Sequence, residues 1–254
     1  MECKICQSKT TYVKTLKIRK EHDAEYYLCG NCGFLFINNP TWLSEAYQKP
    51  IADTDTGYVL RNVYLSRKTV ILFRFLFDIK ASFLDFAGGY GMLARLMRDY
   101  GLNFYTYDLH TPNLFMRGFE YKNQSIEAIT CFECFEHFDS PITEIEKMLK
   151  ISKNIFFSTL LLPKEIPGDN WEYYGLKHGQ HISFYSLKTL SYIANKYKLN
   201  FYSDGANLHL FTEKKIQNWF FKLLLSMTKF QFDLIIRKVM KSKTVEDAFF
   251  LQKN

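Results

Sequence analysis

Apolar residues fall along this chain in two rhythms. Short, largely apolar runs at 83–86, 104–107, 126–132 and 155–159 end in acidic, polar or glycine-rich positions, and stretches at 92–100 and 141–150 repeat their apolar residues at helical spacing. Runs of that length read as buried strands, and the 3.6-residue period reads as helices laid over them. Strands alternating with helices predict an α/β fold on a mostly parallel sheet, with ligands at the C-terminal ends of the strands. Pro141 suits the first turn of its helix, where a missing N–H is no loss. A loop rich in proline and glycine at 161–180 leads to a helix at 187–197 and to strands near 199–204 and 207–212, the last pair antiparallel.

The same patterning predicts a short helix at 42–47 and a long one at 58–78, with an apolar stripe at Val59, Val63, Val70, Phe73 and Phe77. Beyond 213, Ile216, Phe220, Leu223, Leu224, Met227 and Phe230 recur at helical spacing beside Lys222, Lys229, Arg237, Lys238 and Lys241. That pattern predicts a helical hairpin packed on the N-terminal segment or on a second subunit. The sharper alternative is peripheral contact of 216–241 with an anionic membrane. The expected units are therefore 1–39, 40–80, 81–213 and 214–254.

At 254 residues the chain holds one α/β domain and a small accessory module, and 47% apolar with 17% aromatic residues fill a substantial core. A net charge of +7 admits anionic substrates or a membrane surface and does not by itself argue for nucleic acid. The opening Met1-Glu2-Cys3-Lys4 has no apolar leader character, and no apolar run is long enough to span a bilayer, so a cytoplasmic location is expected.

The candidate chemistry begins where the first of these runs ends. Asp85 is followed by Phe86-Ala87-Gly88-Gly89-Tyr90-Gly91, a helix, a second run and Asp108. Glycines let a backbone approach a ligand closely, the helix start offers unpaired N–H groups, and the second acid can accept hydrogen bonds from ribose hydroxyls. The unit therefore reads as a nucleoside-cofactor site. Gly89-Tyr90-Gly91-Met92-Leu93-Ala94 with Asp108 fits a relaxed dinucleotide fingerprint, which would make NAD the cofactor. The loop also resembles the acid-x-Gly-x-Gly-x-Gly pattern of class I S-adenosylmethionine (SAM) methyltransferases, with Ala87 at the first glycine position. Asp85 favours SAM, because a carboxylate there repels a pyrophosphate and attracts an ammonium. The expected cofactor contacts are Asp85, Ala87, Gly88, Gly89, Gly91, Tyr107, Asp108 and Glu133; Tyr90 and Glu120 are placed near the adenosine.

All six cysteines fall in C-x-x-C pairs. Cys3/Cys6 and Cys29/Cys32 stand on polar, glycine-rich knuckles at a spacing that fits a four-cysteine zinc ribbon, with short strands at 11–18, 26–28 and 34–37. So small a segment buries too little surface to fold alone, and a structural Zn²⁺ would supply much of its stability. Cys131/Cys134 has no matching second pair and reads as small core residues at a strand end. Glu133, Glu136 and His137 beside it invite comparison with metal ligands, but His137 is read as pocket wall.

From Ser82 to Leu210 the chain resembles class I SAM-dependent methyltransferases, which implies a Rossmann-like sheet with an antiparallel last strand. The run from Glu127 to Pro141, with Glu133-Cys134-Phe135-Glu136-His137, is similar to that family's fourth-strand motif, and Phe156-Phe157-Ser158-Thr159 to its fifth strand. Joined to a four-cysteine ribbon, the fold is similar to zinc-containing bacterial sugar C-methyltransferases. Their Tyr-His-Glu-His-(apolar)-Ser-Tyr-Phe-Ser segment aligns with His178-Gly179-Gln180-His181-Ile182-Ser183-Phe184-Tyr185-Ser186, which departs at His178, Gly179 and Gln180. Segments at 55–62 and 179–181 also resemble methyltransferases found with polysaccharide biosynthesis genes. The resemblance implies a sugar, sugar-nucleotide or glycan acceptor, with His181 as general base and His178 as second candidate. The alternatives are an NAD-dependent sugar-modifying oxidoreductase and a zinc-ribbon protein that methylates RNA. Against RNA, Lys14, Lys17, Arg19 and Lys20 fit a solvated strand edge.

Overall fold

The computed structural model describes residues 1–47 and 55–253; residues 48–54, in the predicted linking segment, and Asn254 lie outside the described residues. The N-terminal segment folds as a hairpin of β1 (Thr10–Ile18) and β2 (His22–Cys29), followed by β3 (Leu35–Ile37). Two helices follow, α1 (Leu43–Ala46) and α2 (Tyr58–Leu76). Then come β4 (Ser82–Phe86), α3 (Met92–Asp99), β5 (Asn103–Tyr107), β6 (Ala128–Cys131), α4 (Pro141–Ile151), β7 (Ile155–Ser158), β8 (Ser183–Phe184), α5 (Leu187–Lys196), β9 (Asn200–Ser203) and β10 (Leu208–Thr212). Three helices close the chain: α6 (Asn218–Ser226), α7 (Phe232–Val239) and α8 (Thr244–Lys253).

Six strands form the main sheet in the order β5-β4-β6-β7-β10-β9. The first four are parallel, and β10 runs antiparallel to both β7 and β9. This is the α/β sheet expected from the sequence. Strand order reverses at β4, which pairs with β5 on one side and β6 on the other; that crevice is where an open parallel sheet takes its ligands. Beyond β5, a single parallel bridge from Thr106 to Glu120 stands where a third strand would lie.

Apolar clusters cover both faces of this sheet. Phe73, Phe83 and Phe104 meet on the α2 face with ring centroids 5.0–5.9 Å apart, and Phe135 stacks on Phe157 at 4.1 Å on the other. The stripe predicted for α2 holds at Val70, Phe73 and Phe77, which are buried, and fails at its start. Val59 (58% exposed) and Val63 stay outside, while Leu65, Val70, Ile71, Leu72 and Phe73 are buried. The C-terminal helices occupy the face of α2 that the prediction left open. Phe221, Leu224 and Leu225 join the α2 cluster, Arg67 makes two bonds to Asp233 at 2.8 and 3.1 Å, and Lys68 donates to the Leu225 carbonyl at 2.7 Å. On α8, Asp247 receives Arg95 at 2.8 Å and Arg98 at 2.7 Å, both from α3. These helices pack on the sheet domain's own α2 and α3, where the expectation had placed them on the N-terminal ribbon.

A second sheet, β1-β2-β3-β8, crosses from one end of the sequence to the middle. Its fourth strand, β8, follows directly on His181, and the Ile37 N–H donates to the Ile182 carbonyl at 2.9 Å. The four-cysteine segment and the 178–184 loop are thus one hydrogen-bonded structure.

Candidate active site

Tight backbone geometry shapes the loop between β4 and α3. A Cβ on Gly88 would lie 2.6 Å from both Asp85 Oδ2 and Thr106 Oγ1, so only glycine lets the chain lie down across the tips of β4 and β5. Gly89 and Gly91 have φ of +56° and +86°, and Ala87 takes φ +55° without a glycine's freedom. Asp108, at the end of β5, accepts the Gly89 N–H at 2.9 Å on Oδ2 and the N–H groups of His110 and Thr111 at 2.8 and 2.7 Å on Oδ1. This ties the ribose-type acid to the glycine loop that it would serve. Gly91 starts α3 against Met116 and Asn113 and, unlike the other seven expected cofactor contacts, does not line the cleft.

Asp85 lies beneath this loop, buried, with Thr130 Oγ1 donating to its carboxylate at 2.8 Å. Burial pushes its pKa up to about 7 against the hydrogen bond from Thr130, with nearby Asp108 adding to the rise. A desolvated carboxyl at the tip of a strand has room for a cationic partner. Together with the glycine cradle and Asp108, the residues present fit a cofactor that carries a ribose and an ammonium group.

One cleft of about 980 Å³ joins this loop to the tip of β6 and the 178–181 segment. Asp85, Ala87, Gly88, Gly89, Tyr107 and Asp108 line it on the β4–β5 side; Glu133, Glu136, His137, His178, Gln180 and His181 line it on the other. Glu133 takes φ +52° and exchanges two 2.7 Å bonds with Ser158: its N–H donates to Oγ, and the hydroxyl donates back to Oε1. Glu120 does not line this cleft and accepts from Asn113 at 2.7 Å and from the Gly118 N–H.

The histidines are oriented by their partners. His181 Nδ1 lies 2.7 Å from the Tyr173 carbonyl, which can only accept; Nδ1 therefore carries the proton and Nε2 keeps a lone pair. The Gln180 N–H donates to His178 Nδ1 at 3.1 Å, so the neutral ring of His178 carries its proton on Nε2. His137 Nδ1 is 3.1 Å from the Tyr47 hydroxyl, and its ring stands edge-on to His181 with centroids 5.1 Å apart. Burial lowers the pKa of His181 to about 4, holds that of His137 well below the ordinary imidazole value, and also lowers that of His178. Glu136 is raised to about 8 by burial and by the neighbouring Glu133. Sequence reasoning left Glu136 unassigned and missed Tyr47 and Arg61, which also line the cleft; Arg61 binds Asp55 at 3.0 and 2.7 Å and comes within 3.7 Å of Glu133. The resemblance of segment 55–62 to other methyltransferases was the hint to Arg61.

Away from the cleft, Cys3, Cys6, Cys29 and Cys32 converge as free thiols. Sγ–Sγ distances of 3.5 Å (Cys3–Cys32) and 3.4 Å (Cys6–Cys29) approach the ~3.8 Å edge of a tetrahedron with ~2.3 Å zinc–sulfur bonds. The N–H groups of Ile5 and Cys32 point to Cys3 and Cys29 sulfurs at 3.4 and 3.5 Å, an arrangement that stabilises thiolates. This donor set fits one structural metal ion. Cys131 is buried and Cys134 half-buried, and neither belongs to a metal-ligand cluster among the described residues.

Comparison with known proteins supplies the family. A family model described as "Methyltransferase domain" matches residues 60–203. Among solved structures, the plantazolicin methyltransferase BpumL in complex with S-adenosylhomocysteine (SAH) and a desmethyl-plantazolicin analogue is 12% identical, covering 68% of this chain and 93% of its own, with a TM-score of 0.48. An O-methyltransferase family protein from Burkholderia thailandensis is 13% identical over 69% of this chain and 64% of its own, with a TM-score of 0.47. The magnesium protoporphyrin IX methyltransferase of Synechocystis PCC 6803, with bound SAH, is 12% identical over 68% and 93%, with a TM-score of 0.44. No curated protein matches the chain. Since the family match takes in more than half of the chain, the protein belongs to the methyltransferase-domain family and is a SAM-dependent methyltransferase.

Proposed function

We propose that the enzyme methylates a small polar acceptor, a sugar, sugar nucleotide or glycan of polysaccharide biosynthesis, with His181 as general base. The observation that carries this reading is the single cleft in which the glycine loop and Asp108 share one space with His181, His178 and Glu133. The resemblance of 178–186 to sugar C-methyltransferases supplies the acceptor class. SAM, when bound, supplies a methyl group already activated on a sulfonium. The protein's task is then to hold the acceptor in line and deal with its proton. Asp108 would take the ribose hydroxyls, Asp85 the ammonium, and Glu133 the methionine end. As the acceptor is methylated, Nε2 of His181 would take the acceptor's proton and pass it to water. His178, with its proton on Nε2, donates to the acceptor and orients it. A structural Zn²⁺ on Cys3, Cys6, Cys29 and Cys32 holds the N-terminal segment.

No described helix is long and apolar enough to cross a membrane. The face of α6 and α7 that carries exposed Trp219, Leu223, Leu234 and Ile235 beside Lys222 and Lys238 supports peripheral contact with an anionic membrane. Flotation with anionic liposomes tests it; protein left in the soluble fraction rejects it.

The first test of the enzyme reading is calorimetric titration with SAH, with NAD in parallel, followed by methyl transfer to a panel of sugar nucleotides. SAH binding that is lost in Asp108→Ala supports it, and binding of NAD instead overturns it. His181→Gln is expected to lower turnover by roughly 10²–10⁴-fold while leaving SAH affinity unchanged.

A further inference from the structure

Glu136 lies beyond the end of the parallel strand β6, in a tight turn at Phe135–His137, and is 1% exposed. Its Oε2 is buried with no hydrogen-bond partner. A ligand oxygen of Glu136 and one ring nitrogen each of His137 and His181 all lie within 4.8 Å of one another. A buried acid beside two imidazoles ordinarily shares protons with them, but the contacts here follow another plan. Each imidazole engages Nδ1 away from the acid, His137 with the Tyr47 hydroxyl and His181 with the Tyr173 carbonyl, and the two rings meet edge-on. One nitrogen of each ring and the unpartnered Oε2 thus lie around one gap, with His137 held besides by a hydrogen bond to the Gln180 backbone. Anchoring one ring nitrogen so that the other is presented to an ion is how metal-binding histidines are held.

We propose that Glu136, His137 and His181 form a site for a divalent transition-metal cation in the wall of the methyl-transfer cleft. Two imidazole nitrogens and one carboxylate oxygen suit Zn²⁺, Fe²⁺, Co²⁺ or Mn²⁺, and three protein ligands leave coordination positions open towards the cleft. An ion with metal–nitrogen distances of ~2.1 Å needs its ligand atoms about 3–3.5 Å apart, a closure within reach of side-chain rotation. The backbone already fixes the partners, since the Ile182 N–H donates to the Glu136 carbonyl at 2.9 Å and locks the 181 segment to the β6 tip.

The site deepens the proposed function and rests on it for its acceptor. Open positions on one cation select an acceptor with two adjacent oxygens, such as a vicinal diol or an α-hydroxy carbonyl. With the cation present, His181 would serve as its ligand, and the ion's charge would acidify a nearby hydroxyl whose proton leaves to water; without it, His181 takes the proton itself.

The test uses the purified full chain, dialysed against Co²⁺, with metal analysis and visible absorption. Wild type is expected to hold one cobalt ion more than Glu136→Gln or His181→Ala, with weak bands typical of nitrogen–oxygen ligation added to those of the cysteine site. Both variants should keep the cysteine-bound metal and bind SAH as wild type does, which shows that they are folded. Equal cobalt content in wild type and both SAH-competent variants overturns the cation site and leaves the methyltransferase reading standing. Failure of wild type to bind SAH would instead undo the cofactor reading, whatever the cobalt count.

Discussion

On the β4–β5 side of the cleft, the fold is held by its own backbone: between Asp85 and Thr111, the N–H groups of Gly88, Gly89, His110 and Thr111 all find acceptors within the same stretch. The side that carries His181 is built from distant pieces. Trp42 donates to the Gly179 carbonyl at 2.8 Å, Gln180 to the Ala46 carbonyl at 2.8 Å, Ser183 to the Phe138 carbonyl at 2.6 Å, and Thr189 to the Cys32 carbonyl at 3.0 Å. One side is local and self-supporting. The other is only as firm as the N-terminal sheet to which β8 is stitched.

That difference predicts where perturbations travel. Stripping metal from the four cysteines, or replacing Cys32 by Ser, should release β3 and with it β8. Backbone hydrogen exchange across 178–184 is expected to rise by at least roughly tenfold, while 84–91 stays protected and SAH affinity changes by less than about threefold. If both segments lose protection together, the two sides are one cooperative unit and the contrast fails.

The next effect is carried by Asp85 and belongs to the local side alone. Its folded pKa of about 7 lies above its ordinary value of 3.8. Between those pH values the native state holds a proton that the unfolded chain has lost, so stability falls as pH rises from about 4 to about 7 and then levels off. The cost of ionising it is on the order of 4 kcal/mol, as an upper bound. Asp85→Asn should flatten this dependence and raise the melting temperature at pH 8 relative to wild type. It should also weaken SAH binding, because the proposed partner of the ammonium is gone. A melting profile that declines as before over that range would assign the dependence to other groups.

The same contrast explains what could be read from the sequence. Asp85, Gly88, Gly89 and Asp108 lie close together in the chain and share a local geometry, so spacing alone brought them together. Glu136 and His181 lie far apart in sequence, and no periodicity marks a two-residue strand such as Ser183–Phe184. The patterning of α6 and α7 announced a buried face without naming what buries it. Here the answer was α2, whose own stripe had been misplaced by taking Val59 and Val63 as core. Local chemistry is legible where a run of backbone encodes it; convergence of distant side chains is not.

Gly88→Ala sharpens the comparison at smaller amplitude. The added methyl would meet the side-chain oxygens of Asp85 and Thr106 at 2.6 Å, so both side chains must shift from their present positions. Overpacking of this kind costs about 1–3 kcal/mol, so SAH affinity is expected to fall by roughly ten- to a hundredfold while hydrogen exchange at 178–184 stays unchanged. A loss of protection at 178–184 in this variant would show that strain crosses the cleft.

Ala87 offers the smallest and most delicate test. Its φ of +55° places an L side chain in the left-handed region, at a cost of about 1–2 kcal/mol. Ala87→Gly relieves that strain but lets the unfolded chain gain about 0.5–1 kcal/mol of conformational freedom. It also removes a methyl that packs on the main apolar cluster from a half-buried position, worth a fraction of the ~0.8 kcal/mol for a fully buried group. Strain wins narrowly in this balance, by about 0.5 kcal/mol, for a rise of about 1–2 °C in melting temperature. The loop keeps its shape, so SAH affinity should stay within about threefold of wild type. A lower melting temperature would mean that the methyl contact outweighs the strain, and that alanine is the better residue for this loop despite its backbone angle.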